Sequence, residues 1–258
     1  MDRSESWVGR GEAYGQEFEH ATPFPLVVID DFLSEDHARA LLEEFPPITG
    51  MPRSRDYMFG DKHELSSVAA NGPASAAFFE LALSGEFREF LCALSGDDVF
   101  VDPAFHGGGF HQGGDGSFLD MHVDFNVHPE HEDWLRTLNV LVYLNPDWDD
   151  SWGGQLLVKN APEGEVRRIS PKFNRAVIMR TNDHTFHGYR KMALPPGVTR
   201  RSIATYAYTA IEPGAVQQRT TNWVPEGAGP LKRLLASNYN TLVQAKNKLF
   251  GSATSKNR

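Results

Sequence analysis

From Val99 onward the chain is a series of short β-rich runs separated by Gly, Pro, Asn and Asp, and this pattern restricts the possible folds most strongly. The clearest runs cover residues 116–124, 135–144, 154–159, 165–170, 174–180 and 200–211. Six or more short strands joined by turns predict a sandwich or a barrel. A double-sheet jelly roll, also called a double-stranded β-helix, accommodates this number and leaves a cavity between its sheets. We therefore expect an α+β fold with a jelly-roll core.

The first part of the chain carries helix signals. Residues 25–33 begin as a β-rich run, and Ser34 then supplies an N-cap for a helix that should end near Phe45. Apolar residues at helical spacing predict a second helical region from about residue 73 to residue 94, interrupted near Gly85. We expect these elements to flank the jelly roll on its N-terminal side.

The organisation that we expect is a single domain in three parts. Residues 1–98 would supply a strand and helices that support the core, and residues 99–212 would form the jelly roll itself. Residues 213–258 would form a C-terminal helix, from Pro230 to about Phe250, followed by a polar tail.

Composition and charge argue against several classes of function. With 25 Lys and Arg against 34 Asp and Glu, the formal charge of −9 would repel a nucleic acid duplex or an anionic membrane. The single cysteine, Cys92, excludes an intramolecular disulfide and any cysteine-based zinc site. No apolar run in the first thirty residues is typical of a leader, so we expect a cytoplasmic protein. A homo-oligomer is allowed but not indicated.

The segment FLDMHVDFN, residues 118–126, places His122 and Asp124 two residues apart. Residues i and i+2 of a strand point to the same face, so an imidazole and a carboxylate would converge there. Either His184 or His187 is available downstream as a third ligand. Two histidines and one carboxylate leave open positions on a metal, as in non-haem Fe(II) oxygenases. A zinc hydrolase uses the same residue types, so this pattern alone does not decide the chemistry.

The segment TRRSIATYAYT indicates an anion site. On a strand, Arg200 and Ser202 share one face, whereas Arg201 lies on the other. A guanidinium offers two parallel donors and a hydroxyl offers a third, which together suit the distal carboxylate of a dicarboxylic acid. The alternative is a pair of surface arginines on an edge strand.

From about Phe110 to Tyr208 the chain resembles the Fe(II)- and 2-oxoglutarate-dependent oxygenases, in particular their prolyl 4-hydroxylase-like branch. The matching motifs, in order, are His122-Val123-Asp124, Arg136, Tyr143-Leu144-Asn145, Trp148, Gly153-Gly154-Gln155-Leu156, Pro171-Lys172-Phe173-Asn174-Arg175, His187 and Arg200-Arg201-Ser202-Ile203. The resemblance implies that the iron ligands are His122, Asp124 and His187. It implies that 2-oxoglutarate is bound by Arg200, Ser202 and Tyr143. His187 is preferred to His184 because it precedes the Arg200 strand as the distal histidine of the family does.

The same resemblance implies a dioxygenase that uses Fe(II), 2-oxoglutarate and O2, with ascorbate as a reductant, and that releases succinate and CO2. Residues 126–134 are polar and acidic, and we expect them to lie over the metal. Together with Gly107–Gly109, residues 56–63 and Arg180, they favour a small polar substrate such as a sugar, a natural product or an amino acid derivative. Hydroxylation is the expected outcome. The alternatives are a peptidyl or protein prolyl hydroxylase and a non-catalytic jelly-roll binding module.

Four further histidines lie near these motifs in the chain and could line the mouth of the cavity, but we expect them to be ordinary surface or hydrogen-bonded residues. They are His106, His111, His128 and His131.

Overall fold

Two antiparallel sheets enclose a cavity in the computed structural model, which describes residues 6–53, 59–66, 71–225, 229, 232 and 234. The helices of this part are α1 (Trp7–His20), α2 (Glu35–Glu43), α3 (Pro73–Leu83) and α4 (Gly85–Ser95). Its strands are β1 (Leu26–Ile29), β2 (His63–Leu65), β3 (Phe100–Val101), β4 (Gly109–Gly113), β5 (Leu119–Val123), β6 (Trp134–Tyr143), β7 (Leu156–Lys159), β8 (Arg167–Ile169), β9 (Arg175–Arg180), β10 (Phe186–Tyr189), β11 (Arg200–Ala210) and β12 (Asn222–Trp223).

The chain crosses repeatedly between the two sheets. The larger sheet has seven strands in the order β1-β9-β6-β11-β4-β2, with β3 paired to β11. The smaller sheet has five strands in the order β12-β5-β10-β7-β8. From β4 to β11 the chain alternates between the larger and the smaller sheet, except that β7 and β8 are consecutive strands of the smaller one, and this crossing is typical of a jelly roll. The expected α+β fold with a jelly-roll core is therefore confirmed.

The larger sheet is buried on both faces because alternate residues of its strands point in opposite directions. On one face, Val140 and Ile178 belong to the main core together with Phe90 of α4. On the other face, Tyr143 packs with Leu156 of the smaller sheet. The helices therefore cover the outer face of the larger sheet, and its inner face is left to form one wall of the cavity.

The helix signals are confirmed where the structure describes them. Ser34 caps α2, since its hydroxyl accepts a hydrogen bond from the His37 amide at 3.4 Å. The predicted interruption near Gly85 is the boundary between α3 and α4. The predicted C-terminal helix lies outside the described residues, apart from Lys232 and Leu234. Among the described helices none is both long and apolar enough to cross a membrane.

Helix α1 was not predicted from the sequence. It contains Gly9, Gly11 and Gly15, and glycine lowers helix propensity. Gly11 is required by packing, because a Cβ there would lie 2.5 Å from the carbonyl oxygen of Phe90 in α4. The glycine thus permits a close contact between helices that local propensity does not reveal.

Candidate active site

His122, Asp124 and His187 lie together on the smaller sheet. His122 belongs to β5 and Asp124 directly follows that strand, whereas His187 lies on the adjacent β10, opposite His122 in the register. The candidate ligand atoms of the three side chains all lie within 4.8 Å of one another. The Nε2 atoms of His122 and His187 are 3.5 Å and 3.3 Å from the Asp124 carboxylate. Strand pairing therefore brings together three residues that are far apart in the chain.

Backbone carbonyls orient both imidazole rings. His122 Nδ1 donates to the Asp120 carbonyl at 2.9 Å, and His187 Nδ1 donates to the Thr185 carbonyl at 3.2 Å. Since a carbonyl only accepts, each Nδ1 carries the proton, and a neutral ring then presents a lone pair at Nε2. Burial, with a smaller contribution from His187, lowers the pKa of His122 and keeps that ring neutral near pH 7. The Nε2 atoms are therefore the ones available to a metal.

Two side chains of β6 hold Asp124 in place. Asn139 Nδ2 donates to Asp124 Oδ2 at 2.8 Å, and Arg136 Nη2 lies 2.9 Å from the same oxygen. Arg136 Nε also donates to the Asn139 amide oxygen at 2.9 Å, which fixes the orientation of that amide. Burial alone would raise the pKa of Asp124, but Arg136 and then His187 hold it well below its usual range. The carboxylate is consequently ionised and oriented although it is largely buried.

This donor set fits a divalent transition metal. Imidazole lone pairs that face a carboxylate at 3.3–3.5 Å are unfavourable unless a cation lies between them. The same three side chains line the cavity between the sheets, so a metal held by them would have further positions facing that cavity. Two histidines and one carboxylate with open positions are typical of non-haem iron sites.

Arg200 lies on the same cavity, between two tyrosine rings. Its Cζ atom is 4.3 Å from the ring centroid of Tyr189 and 4.9 Å from that of Tyr143. Its Nε donates to the Gly154 carbonyl at 2.7 Å, and its Nη2 donates to the Tyr143 hydroxyl at 3.3 Å. Ser202 is opposite Tyr143 in the register of β11 and β6 and also lines the cavity. A cation and two hydroxyls are thus grouped on one wall, where they suit a carboxylate.

The cavity is partly open to solvent. Besides the residues above, its lining includes Lys62, His111 and Tyr206. Lys62 Nζ lies 2.6 Å from the carboxylate of Glu64. Burial opposes the charge on Lys62, but Glu64 and nearby tyrosines raise its pKa, so the ammonium is retained. Most of the side chains that line the cavity therefore carry a hydrogen-bonding group.

His111 is neutral, whereas Lys62 is charged. Burial, and then the charge of Lys62, lower the pKa of His111 to about 3. Its Nε2 atom is buried and has no hydrogen-bond partner among the described residues. The neutral ring thus supplies a polar atom to the cavity wall, so for this residue the less favoured alternative of the sequence analysis is the one that the structure shows.

Three other residues considered in the sequence analysis lie outside the site. His184 is exposed and lies outside the cluster of His122, Asp124 and His187, and its backbone amide donates to the side-chain oxygen of Asn182. Arg201 is absent from the cavity lining, unlike Arg200. Arg180 was expected near the substrate, but it donates to the Ser95 carbonyl at 2.8 Å and pairs with Asp97, away from the cavity. That expectation was wrong.

Residues 126–134 were expected to lie over the metal, and this expectation was also wrong. None of them belongs to the described lining of the cavity. His128 is buried beside Asp102, and its ring packs against Trp134 at a centroid distance of 5.3 Å. Within this segment the rings of His131 and Trp134 stack at a centroid distance of 3.8 Å, and Trp134 also packs against Phe100.

Several residues of the site were missed by the sequence interpretation. Asn139 lies three residues after Arg136, a spacing that has no meaning until both are seen to reach Asp124. Arg219 and Trp223 contact the ligand-bearing strand from beyond the end of the jelly roll. Only tertiary contacts identify these residues.

Comparisons with known proteins agree with the geometry. Residues 108–208 match the family model of the 2OG-Fe(II) oxygenase superfamily. A search of curated protein sequences found no match.

Similar solved structures include three prolyl hydroxylases. A prolyl-4-hydroxylase from Pseudomonas putida has a TM-score of 0.58 at 16% identity, covering 77% of this chain and 98% of that one. A prolyl hydroxylase from Trichoplax adhaerens, in complex with a hypoxia inducible factor peptide fragment, has a TM-score of 0.55 at 16% identity and covers 78% of this chain and 90% of that one. A prolyl 4-hydroxylase from Phytophthora capsici has a TM-score of 0.55 at 18% identity, covering 96% and 80% respectively. At these identities the likeness shows the fold alone.

The matched segment contains the His122, Asp124 and His187 cluster as well as Arg200. The family match, the fold and the donor set all agree with the chemistry of a non-haem Fe(II) site. Residues 108–208 thus match the 2OG-Fe(II) oxygenase superfamily, and the His122, Asp124 and His187 cluster within them is a donor set that suits an iron site of this kind.

Proposed function

We propose that this protein is an Fe(II)- and 2-oxoglutarate-dependent dioxygenase that hydroxylates an unactivated C–H bond of a small polar molecule, such as a sugar, a natural product or an amino acid derivative. In this proposal the iron ligands are His122, Asp124 and His187. The observation that carries it is the convergence of two imidazole Nε2 atoms and a carboxylate within 4.8 Å, in the cavity that Arg200 also lines.

The bound iron would supply O2 activation and C–H oxidation, coupled to the conversion of 2-oxoglutarate to succinate and CO2. The chain itself would hold the ligands in the correct state. Hydrogen bonds from Nδ1 to backbone carbonyls keep His122 and His187 in the tautomer that binds through Nε2. Arg136 and Asn139 keep Asp124 ionised and oriented.

Binding of 2-oxoglutarate is assigned to Arg200, Ser202 and Tyr143. The guanidinium is already oriented by the Gly154 carbonyl and lies against the ring of Tyr189. An oriented, buried cation of this kind suits a carboxylate, because little side-chain entropy is lost when the carboxylate binds.

The choice of a small polar substrate is supported by the remaining wall of the cavity. Lys62, His111 and Tyr206 supply an ammonium, a neutral imidazole and a phenol. Buried polar groups of this kind discriminate against ligands that leave them unpaired. The alternative, a peptidyl prolyl substrate, is supported by the prolyl hydroxylases among the similar structures.

The test is succinate formation from 2-oxoglutarate by anaerobically purified protein after addition of Fe(II), ascorbate and O2. Wild type is compared with Asp124→Ala, alone and with two sets of compounds: free amino acids and amino sugars, and short proline-containing peptides. We expect turnover in wild type only, stimulated by a member of the first set. Stimulation by the peptides alone would favour the prolyl alternative, and equal turnover in Asp124→Ala would reject the ligand assignment.

The division into supporting residues 1–98, core residues 99–212 and C-terminal residues 213–258 is likewise proposed, within a single domain.

A further inference from the structure

After the jelly roll ends, the chain returns along the outer edge of β5, the strand that carries His122. Here β12 pairs with β5 so that Trp223 lies opposite His122 and Asn222 opposite Val123. The amide of Val224 donates to the Met121 carbonyl at 2.7 Å. We call residues 217–224 the strap. Through these bonds the strap closes the edge of β5 that β10 leaves unpaired.

Arg219 connects the strap to both ligand-bearing segments. Its Nη1 donates to the backbone carbonyl of Asp124. Its Nε and Nη2 donate to Asp183 Oδ1 at 2.9 Å and 2.6 Å, and Asp183 lies in the turn that leads into β10 and His187. One guanidinium therefore joins the backbone of one candidate ligand to the turn before another.

Asn126 ties the strap to the same region a second time. Its side-chain amide donates to the Gln217 carbonyl at 2.9 Å, and its amide oxygen accepts from the Arg219 backbone at 2.8 Å. Reciprocal bonds of this kind fix the position of Arg219 relative to Asp124, two residues before Asn126. Hydrogen bonds thus hold both the backbone and the guanidinium group of Arg219.

An aromatic stack covers the ring of His122. The Trp223 ring lies 4.7 Å from the His122 ring, tilted by 32°. Trp223 also stacks on Phe59, with the ring centroids 5.0 Å apart and the ring planes 14° from parallel. Both aromatic residues are buried. The strap therefore restricts the imidazole ring as well as the backbone that carries it.

We propose that the strap is a positioning device for the metal site and that Arg219 is its central positioning residue, setting Asp124 relative to His187. The inference rests on the proposed assignment of these residues as metal ligands. Arg219 touches no reacting atom in this proposal and acts through the backbone of Asp124 and the turn at Asp183. Loss of partners that orient metal ligands typically lowers metal affinity by about 10- to 100-fold.

The experiment measures Co(II) binding to the full chain by calorimetry and by the visible absorption of the bound ion, in the absence of iron and O2. In Arg219→Met we expect the Kd to rise by about 10- to 100-fold with an altered absorption spectrum. The control is Arg175→Met. Arg175 makes the same kind of contacts, two bonds to the exposed Asp30 at 2.6 Å and 2.8 Å and one to the Ser170 carbonyl, but it is not part of the site.

Asp183→Ala keeps the proposal testable if Arg219→Met does not fold, because Asp183 is exposed and its removal leaves the Asp124 contact intact. We expect Asp183→Ala to weaken Co(II) binding, and the double variant with Arg219→Met to be no weaker than Arg219→Met alone.

A folded Arg219→Met protein that binds Co(II) within twofold of wild type and with the same spectrum would overturn the inference. So would Asp183→Ala with unchanged binding, or an equal loss in Arg175→Met. If instead Asp124→Ala binds Co(II) as tightly as wild type, the proposed ligand assignment itself fails, and the two failures are thereby distinguished.

Discussion

Arg200 and Arg201 are adjacent in the chain but occupy different environments. Arg200 is buried between Tyr143 and Tyr189 on the cavity wall. Arg201 is absent from the cavity lining, and its backbone amide donates to Asn145 at 2.6 Å. The two-residue period of the strand predicted this difference, since it placed Arg200 with Ser202 on one face. Backbone periodicity thus predicts which side chains share a wall.

This difference can be measured by calorimetric titration of 2-oxoglutarate in the presence of Mn(II). Arg200→Gln should raise the Kd by about 10- to 100-fold, because a charge-assisted hydrogen bond contributes roughly 1.5–3 kcal/mol. Arg201→Gln is the matched control and should stay within twofold of wild type. Equal effects in the two variants would contradict the assignment of Arg200 to 2-oxoglutarate.

His111 gives a prediction about stability and pH. Its pKa is about 3 in the folded chain, against an ordinary value of 6.5. Between these values the unfolded chain binds more protons, so the free energy of unfolding falls as pH is lowered from about 6.5 towards 3. Above that range His111 is neutral in both states and contributes nothing to the slope. Acid should therefore destabilise the protein partly through this residue.

Urea unfolding of the metal-free protein at pH 7 and pH 5 tests this. His111→Gln should lose up to about 2 kcal/mol less than wild type between these two values, since the group that titrates only on unfolding is gone. If both proteins lose the same free energy of unfolding, His111 is not held neutral by burial.

At the scale of elements, strands with alternating or continuous apolar residues were predictable, whereas β10 was not. β10 contains only four residues, FHGY, and includes a glycine. Gly188 is needed because a Cβ there would lie 2.6 Å from the Leu119 carbonyl oxygen and 2.9 Å from that of Asp120. Close strand spacing at His187 therefore depends on a residue that weakens the strand signal.

We expect Gly188→Ala to separate β10 from β5 and so to move His187 away from His122. Co(II) affinity should fall by about tenfold or more, because a ligand that is displaced from its position binds the metal less tightly. Gly85→Ala is the control, because a Cβ at Gly85 meets no atom within 4 Å. Unchanged Co(II) binding in Gly188→Ala would show that the strand spacing does not set the site.

For the whole molecule, local patterns predicted the jelly roll and the pair of His122 and Asp124, and the family resemblance selected His187, but neither predicted the support around this cluster. The contact of Asn139 with Asp124 and that of Arg219 with the Asp124 carbonyl join segments that share no local pattern. The chain carries a net charge of −9, yet its cavity is lined by Lys62, Arg136 and Arg200. The overall charge therefore argues against large anionic partners, such as a nucleic acid duplex or an anionic membrane, but it does not predict the charges that line the site.

The most direct measurement is calorimetric binding of 2-oxoglutarate, in the absence of O2, to wild type, His187→Ala and His184→Ala, each with and without Mn(II). If His122, Asp124 and His187 hold the metal that completes the 2-oxoglutarate site, wild type and His184→Ala will bind 2-oxoglutarate tightly only when Mn(II) is present, and His187→Ala will lose this dependence on the metal. Metal-dependent binding that survives in His187→Ala, or that disappears in His184→Ala, would contradict the account.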